Sequence, residues 1–290
     1  MTTHSNQNRF AVLKPIDTTR RMSYDPMTLS RSLGSLPVWT PFAALAVAAI
    51  WPQIVYAQTA TGVDPIGALW RWAPFLITKG FLFNILISFL CLLLGTLGGL
   101  AIGLGQISHV KPLRWLCWGI TQLFRNSPWL VLLFIVMLAL PFELTIFGNT
   151  FFFPAWIKAV IGLSLPIIAN ISEIVRGAVA SVPTTQWEAA ESLAMTRRQA
   201  MWRIILPQCF KRMIPPWMNW YAILTMATPL VSILGVEEVV NLTRQAIEAE
   251  DNLPELLAPF YGFVLILFFI YCYPIARLTL RLERRFAVKL

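Results

Sequence analysis

From Phe81 to Gly105 the chain runs through 25 consecutive residues without a charged side chain. At about 1.5 Å of rise per residue, a helix of that length crosses the roughly 30 Å apolar core of a bilayer. Further apolar segments reach span length, two of them carrying charges (Arg114 and Arg125; Lys158 and Glu173): Leu36 to Ala57, Leu113 to Phe142, Phe151 to Ile174, Met213 to Gly235 and Leu256 to Ala276. Inside lipid only helices and closed barrels satisfy their own backbone, and these segments are too long and too continuous for barrel strands. The sequence therefore predicts an all-α integral membrane protein with about six transmembrane helices. Composition agrees, since 13% of residues are charged where soluble domains carry about 25%.

A formal charge of +9 would suggest nucleic acid in a soluble chain. Its distribution argues for lipid instead. Nineteen of the 23 Lys and Arg fall in four clusters between the apolar spans: Arg9 to Arg31, Lys111 to Arg125, Arg176 to Arg212 and Arg277 to Lys289. Such clustering marks the cytoplasmic side. Six spans then place both termini in the cytoplasm. The stretch from Glu237 to Glu255, with six acidic residues and only Arg244 as a cation, falls on the opposite side. Residues 1–35 read as a cytoplasmic tail. Residues 36–75 read as an extra N-terminal membrane helix with an extracytoplasmic loop. Val55-Tyr56-Ala57 fits a signal-peptidase site, yet the preface is long for a signal peptide, so a retained helix is favoured.

Cys91, Cys117, Cys209 and Cys272 are isolated, and His4 and His109 stand in polar flanks. This pattern gives no disulfide framework and no metal site. Gly95/Gly99 and Gly99/Gly103 form GxxxG pairs, expected to let another helix approach closely. Pro128 disfavours helix at the residue before it, so the third span is expected to break at Ser127. The fifth span is expected to open on Pro215-Pro216.

One polar stretch interrupts the apolar pattern, Arg176 to Arg212. Thr185 and Glu188 have the spacing of a capping box, predicting a helix from about Gln186. Trp187, Ala190, Leu193 and Ala194 would form its apolar stripe. Such a helix has three readings: it lies on lipid headgroups, docks on the spans, or enters a groove of a soluble partner.

Glu188-Ala189-Ala190, then Ile204-x-Leu206-Pro207, resembles the EAA loop of ABC importer permeases, whose pattern is EAA, three residues, Gly, nine residues, I-x-L-P. Every position matches but one, where Ala194 replaces Gly. The resemblance narrows to the permeases for polar amino acids of the histidine, glutamine and glutamate type. Phe124-Arg125-Asn126-Ser127-Pro128 resembles their F-R-G/N-T-P segment. Ser172-Glu173-Ile174-Val175-Arg176-Gly177 resembles A-E-I-x-R-G, and Leu230 to Val236 resembles S-L-V-S-V-I-G-V. The shared part covers about 76–285, an importer transmembrane domain of typically five helices that includes the cytoplasmic loop 183–208.

Three departures stand out. Ala194 resists the positive φ that glycine allows. Met226-Ala227 replaces a Lys-Asp pair common in the family, and Pro229 replaces a Ser.

The resemblance implies a multi-pass subunit of the bacterial plasma membrane that imports a polar amino acid. It implies two cytoplasmic ABC ATPase subunits, a second permease chain (the same or a paralogue), and a periplasmic or lipid-anchored amino-acid-binding protein. The chain has no GxxxxGK[ST] loop, so ATP and Mg²⁺ are expected on the partner ATPase and no cofactor in this chain. Glu188, Ala189, Ala190, Ala194, Ile204, Leu206 and Pro207 would couple to the ATPase, with helix capping as the competing role for Glu188. Glu173 and Arg176 are intramembrane ionisable residues at i, i+3, read as a structural pair more readily than as a functional one. Asn170, Thr228 and Ser232 are candidate pathway residues, with interhelical bonding as the alternative.

Other classes compete. A secondary, ion-coupled amino acid transporter would need repeats or intramembrane carboxylates, which are nearly absent. A membrane enzyme would need a catalytic set, and none is seen. A partner permease chain with a mainly assembly role stays open, because the Lys-Asp pair is missing.

Overall fold

A computed structural model describes residues 64–286 other than 147 and 148. The tail 1–35 and the first apolar segment, Leu36 to Ala57, lie outside the described residues. Helix α1 (Pro65–Gln106) is followed by α2 (Lys111–Arg125) and α3 (Trp129–Ala139). A hairpin of β1 (Glu143–Ile146) and β2 (Asn149–Phe152) precedes α4 (Ala155–Ala180). Then come α5 (Thr184–Ser192), α6 (Arg197–Leu234), α7 (Val239–Ala249) and α8 (Pro254–Phe286).

Among the described residues, α1, α4, α6 and α8 are each long and apolar enough to cross a membrane, and α2 and α3 taken together would supply a fifth, bent span. The two halves of that span meet at 107°. The break falls where Pro128 demands it. Asn126 closes α2, Ser127 Oγ donates to the Leu123 carbonyl at 2.6 Å, and Pro128 is extended. Lys158 Nζ satisfies the carbonyl of Leu140, just past the end of α3, at 2.7 Å and lies 3.3 Å from the Phe142 ring centroid. A helix end and a buried cation thus neutralise each other's cost.

Two expected spans shift. The fourth starts at Ala155, not Phe151, because Phe151 and Phe152 pair in the hairpin and Pro154 caps the helix. The fifth does not open on Pro215-Pro216. Its helix runs on from the loop through Pro207, and those two prolines lie inside it. It ends in a 3-10 turn, Thr228–Leu234, stopped by Gly235 at φ 77°.

Helix α4 is the axis of the bundle: 67% of its apolar window is buried against 22% for α8. The glycines of α1 explain how closely it packs. A Cβ on Gly99 would lie 2.6 Å from Ile171 Cβ, and one on Gly103 would lie 2.7 Å from Val175 Cβ and 2.9 Å from the Ser172 carbonyl oxygen. Glycines and β-branched residues, each spaced by four, interlock along one seam. Ile87, Cys91, Leu133, Leu163, Ile167, Leu224 and Val231 complete this core. A second core joins the start of α1 to α7 and α8 through Leu76, Phe81, Val239, Ile247 and Phe260.

Charge segregates along the bundle. The ends of α1 and α4 that adjoin α5 carry the basic segments, whereas the opposite end carries the acidic residues 237–255.

Candidate functional site: the coupling loop and its latch

Helix α5 starts at Thr184, two residues before the expected Gln186, and its N-cap is Pro183 with no side-chain bond. Thr185 and Glu188 therefore form no capping box. That motif belongs to the next turn, where Gln199 N donates to Thr196 Oγ1 at 3.3 Å and Thr196 N donates to Gln199 Oε1 at 2.8 Å. With Pro183 as an extended N-cap, Thr185 lies inside the first turn and is not placed to cap the helix. Glu188 is exposed, free of the capping role.

The other end of α5 accounts for the family's glycine. The Ala194 amide donates to the Glu191 carbonyl at 2.9 Å and the Met195 amide to the Ala190 carbonyl at 3.1 Å. Those two bonds define a Schellman termination, which requires a left-handed residue after the cap. Ala194 fills that place at φ 56°. The glycine signature is a backbone requirement, and here alanine meets it under strain.

The loop is strapped to the bundle. Ala190 is 1% exposed and Trp187 half-buried. Trp187, Ile204 and Leu206 pack around Ala178, Val179, Val182, Ile205 and Cys209. Gln208 donates to Gln186 at 2.7 Å, the Arg197 guanidinium lies 5.1 Å from the Trp187 ring, and Arg212 Nη1 donates to the Ser181 carbonyl at 2.8 Å. Pro207 sits in the first turn of the α-helical part of α6. Glu188, Ala189 and Leu193 face outward, Leu193 at 74% exposure. The expected apolar stripe is therefore split: Trp187 and Ala190 face in, Leu193 and Ala194 face out.

Glu173 and Arg176 pair as their spacing predicts, with Nη2 to Oε2 at 2.7 Å and Nε to Oε1 at 3.2 Å. Sequence reasoning missed the third member. Arg125 Nη1 reaches Glu173 Oε2 at 3.4 Å, so the carboxylate latches the break in the third span to α4. The signal was present, since Arg125 and Glu173 belong to two of the quoted motifs, but spacing along the chain cannot join them.

Asn170 on α4 is buried, with its Nδ2 donating to the Pro166 carbonyl at 2.8 Å. Thr228 and Ser232 share the 3-10 turn of α6, which packs against α4. Thr228 is fully buried and accepts from Asn84 Nδ2 at 2.9 Å. Ser232 is half-buried and donates to the Pro229 carbonyl. Asn84 also ties in Glu238, another residue the sequence did not single out. Asn84 Nδ2 donates to Glu238 Oε2 at 2.8 Å, and Glu238 Oε1 accepts the Val240 and Asn241 amides, each at 2.9 Å. This buried carboxylate caps α7.

The family model described as binding-protein-dependent transport system inner membrane component matches residues 95–288. The chain belongs to this family. It is 34% identical over 211 residues to the L-cystine transport system permease protein TcyB of Bacillus subtilis (strain 168), covering 72% of this chain and 86% of that one. It is 30% identical over 227 residues to the glutamate transport system permease protein GluD of Corynebacterium glutamicum, covering 74% and 79%. A crystal structure of an amino acid ABC transporter with histidines superposes with TM-score 0.66 at 26% identity, over 77% of this chain and 99% of that one. As a member of this family of multi-pass membrane proteins, the chain is a transport subunit and not an enzyme; ATP hydrolysis belongs to a partner chain.

Proposed function

We propose that the chain is the permease subunit of an ATP-driven importer for a polar amino acid, working in the bacterial inner membrane with both termini in the cytoplasm. The observation that carries the reading is the outward face of α5. A helix anchored by Ala190 and Trp187 presents Glu188, Ala189 and Leu193 to solvent beside the basic end of the bundle. Small residues allow a second protein to approach closely, and a carboxylate with no ion pair among the described residues suits a cation on it. The partner is a pair of ABC ATPase subunits holding ATP and Mg²⁺. Closure of that pair pushes on α5, and the straps to α4 and α6 pass the push to the spans. A second permease chain completes the pathway, and an amino-acid-binding protein delivers cargo to the opposite end.

Relatives named for cystine and glutamate transport support the cargo class. All three candidates donate to carbonyls of their own helix, and Ser232 suits the pathway best because it is half-buried where Asn170 and Thr228 are buried. The test is ATP hydrolysis by the reconstituted complex with binding protein and a panel of amino acids, comparing wild type with Glu188→Lys. Stimulation by a polar amino acid that disappears in the variant, with assembly intact, is the expected outcome. A variant as active as wild type, or a preparation with no ATPase, overturns the proposal.

A further inference from the structure

Helix α8 is longer than the apolar core of a bilayer: its 33 residues rise about 50 Å against roughly 30 Å. From Leu256 to Ala276 it runs through 21 residues without a charge, about 31 Å of helix. That stretch alone fills the core. Leu256 and Phe260 pack with the start of α1 and with α7 at the acidic end, so the last turns of α8 emerge at the coupling-loop end. Arg277 is the first charge past the run, and Arg281, Arg284 and Arg285 follow on the same helix. Arg277 therefore stands at headgroup depth, where its guanidinium lies 5.9 Å from the Tyr273 ring. The other three follow within roughly 12 Å of rise.

The four arginines share a face. At about 100° per residue they fall in an arc of about 100°, and Leu278 and Leu280 border that arc on either side. Both leucines are exposed, at 47% and 48%. Cys272 and Thr279, the buried residues of this half of α8, lie on the opposite side. The cationic stripe thus points away from the bundle. All four arginines are exposed, and none enters an ion pair among the described residues. Glu283, the one acidic residue after Glu255, falls outside the arc. Four unneutralised guanidiniums bordered by exposed leucines, just past a charge-free span, meet the requirement for an anionic bilayer surface.

We propose that the arginine stripe of α8 binds anionic phospholipid, with phosphatidylglycerol as the model, in the leaflet at the coupling-loop end. The guanidiniums lie on the phosphodiesters, and net charge makes the selection. Phosphatidylcholine offers the same phosphodiester, but its own ammonium cancels the charge. Each cation near the surface favours an anionic lipid by about fivefold.

The test places the photocrosslinker benzoylphenylalanine at position 280 of the intact transporter, in nanodiscs of equimolar phosphatidylglycerol and phosphatidylcholine, and identifies the adducts by mass spectrometry. Phosphatidylglycerol adducts are expected to exceed phosphatidylcholine adducts by about tenfold or more. That ratio should fall about fivefold or more when Arg281→Gln, Arg284→Gln and Arg285→Gln are combined. It should persist when Arg281→Lys, Arg284→Lys and Arg285→Lys are combined, because lysine keeps the charge. A parent ratio near one, or a ratio unmoved by the glutamine changes, overturns the proposal. A ratio lost with lysine overturns it as well, since charge would not then be the cause. Crosslinks to another subunit in place of lipid, or loss of a subunit from the glutamine variant, also overturn it, because the stripe would then be a protein interface.

Discussion

Ala194 sets a backbone cost against a backbone need, and replacing it with glycine measures the difference. At φ 56° an alanine Cβ crowds the following carbonyl, which costs roughly 1–2 kcal/mol. Glycine removes that cost but loses about 0.4–1 kcal/mol more chain entropy on ordering. The balance favours Ala194→Gly by about 1 kcal/mol, close to a fivefold change in an opening equilibrium. The relevant opening releases the two bonds that close α5, Ala194 N–H to the Glu191 carbonyl and Met195 N–H to the Ala190 carbonyl. Hydrogen–deuterium exchange of the peptide spanning 189–196 should therefore slow about fivefold in the glycine variant. Ala194→Val should go the other way, since a β-branched residue is a true outlier at positive φ. Equal or faster exchange in the glycine variant, or unchanged exchange in the valine variant, would refute the strain argument.

At Gly99 an added methyl meets Ile171 Cβ and the Ile168 carbonyl oxygen, the latter at 3.0 Å; Gly99→Ala should cost about 1–3 kcal/mol through overpacking and lower the melting temperature of the purified protein. Glu173 serves two guanidinium groups, so Glu173→Ala should destabilise more than Arg125→Ala, by roughly 1.5–3 kcal/mol for charged hydrogen bonds; equal melting temperatures for the two variants would remove the latch. At the opposite end, hydrogen bonds from Trp72 Nε1 and then Arg71 hold the Glu250 carboxyl below the ordinary carboxylate range. A lowered folded-state pKa means that the tie between α1 and the turn after α7 persists above the unfolded value, about 4.3, and is lost as pH falls through the lower, folded one. Spin labels on α1 and α7 should keep their distance down to that pH and separate below it, and release at higher pH would contradict the cause assigned.

Much of the fold was legible because lipid enforces a simple code. Charge-free runs of span length, cationic clusters between them and a proline after Ser127 each act locally, and the structure carries the break where Pro128 requires it. The glycine seam was legible for the same reason: Gly95, Gly99 and Gly103 need only helical spacing to share a face. Errors arose where two local signals competed. Phe151 and Phe152 are apolar enough for a span, but Pro154 caps the helix only after them. Pro215-Pro216 looks like a helix start, yet an apolar bundle tolerates prolines inside a helix when neighbours enclose it.

The site divided along another line, between backbone requirements and tertiary meetings. The EAA pattern located α5 because its positions encode local geometry: a buried alanine at 190, a left-handed residue at 194, a proline where α6 gathers itself at 207. The capping-box reading failed although its residue types were right, because Pro183 takes the N-cap position and leaves Thr185 inside the first turn, and Thr196 offered a better hydroxyl three residues before Gln199. Arg125 with Glu173, and Asn84 with Thr228 and Glu238, join residues 48 to 154 positions apart, and no periodicity links positions on different helices. Polarity alone marked Thr228 as a pathway residue, and nothing in the sequence singled out Glu238. Burial recasts Thr228 and explains Glu238, because a carboxylate with no exposed surface that accepts three hydrogen bonds is a fastener. In a bundle this apolar, the polar groups that matter most for architecture are the ones that find each other across helices.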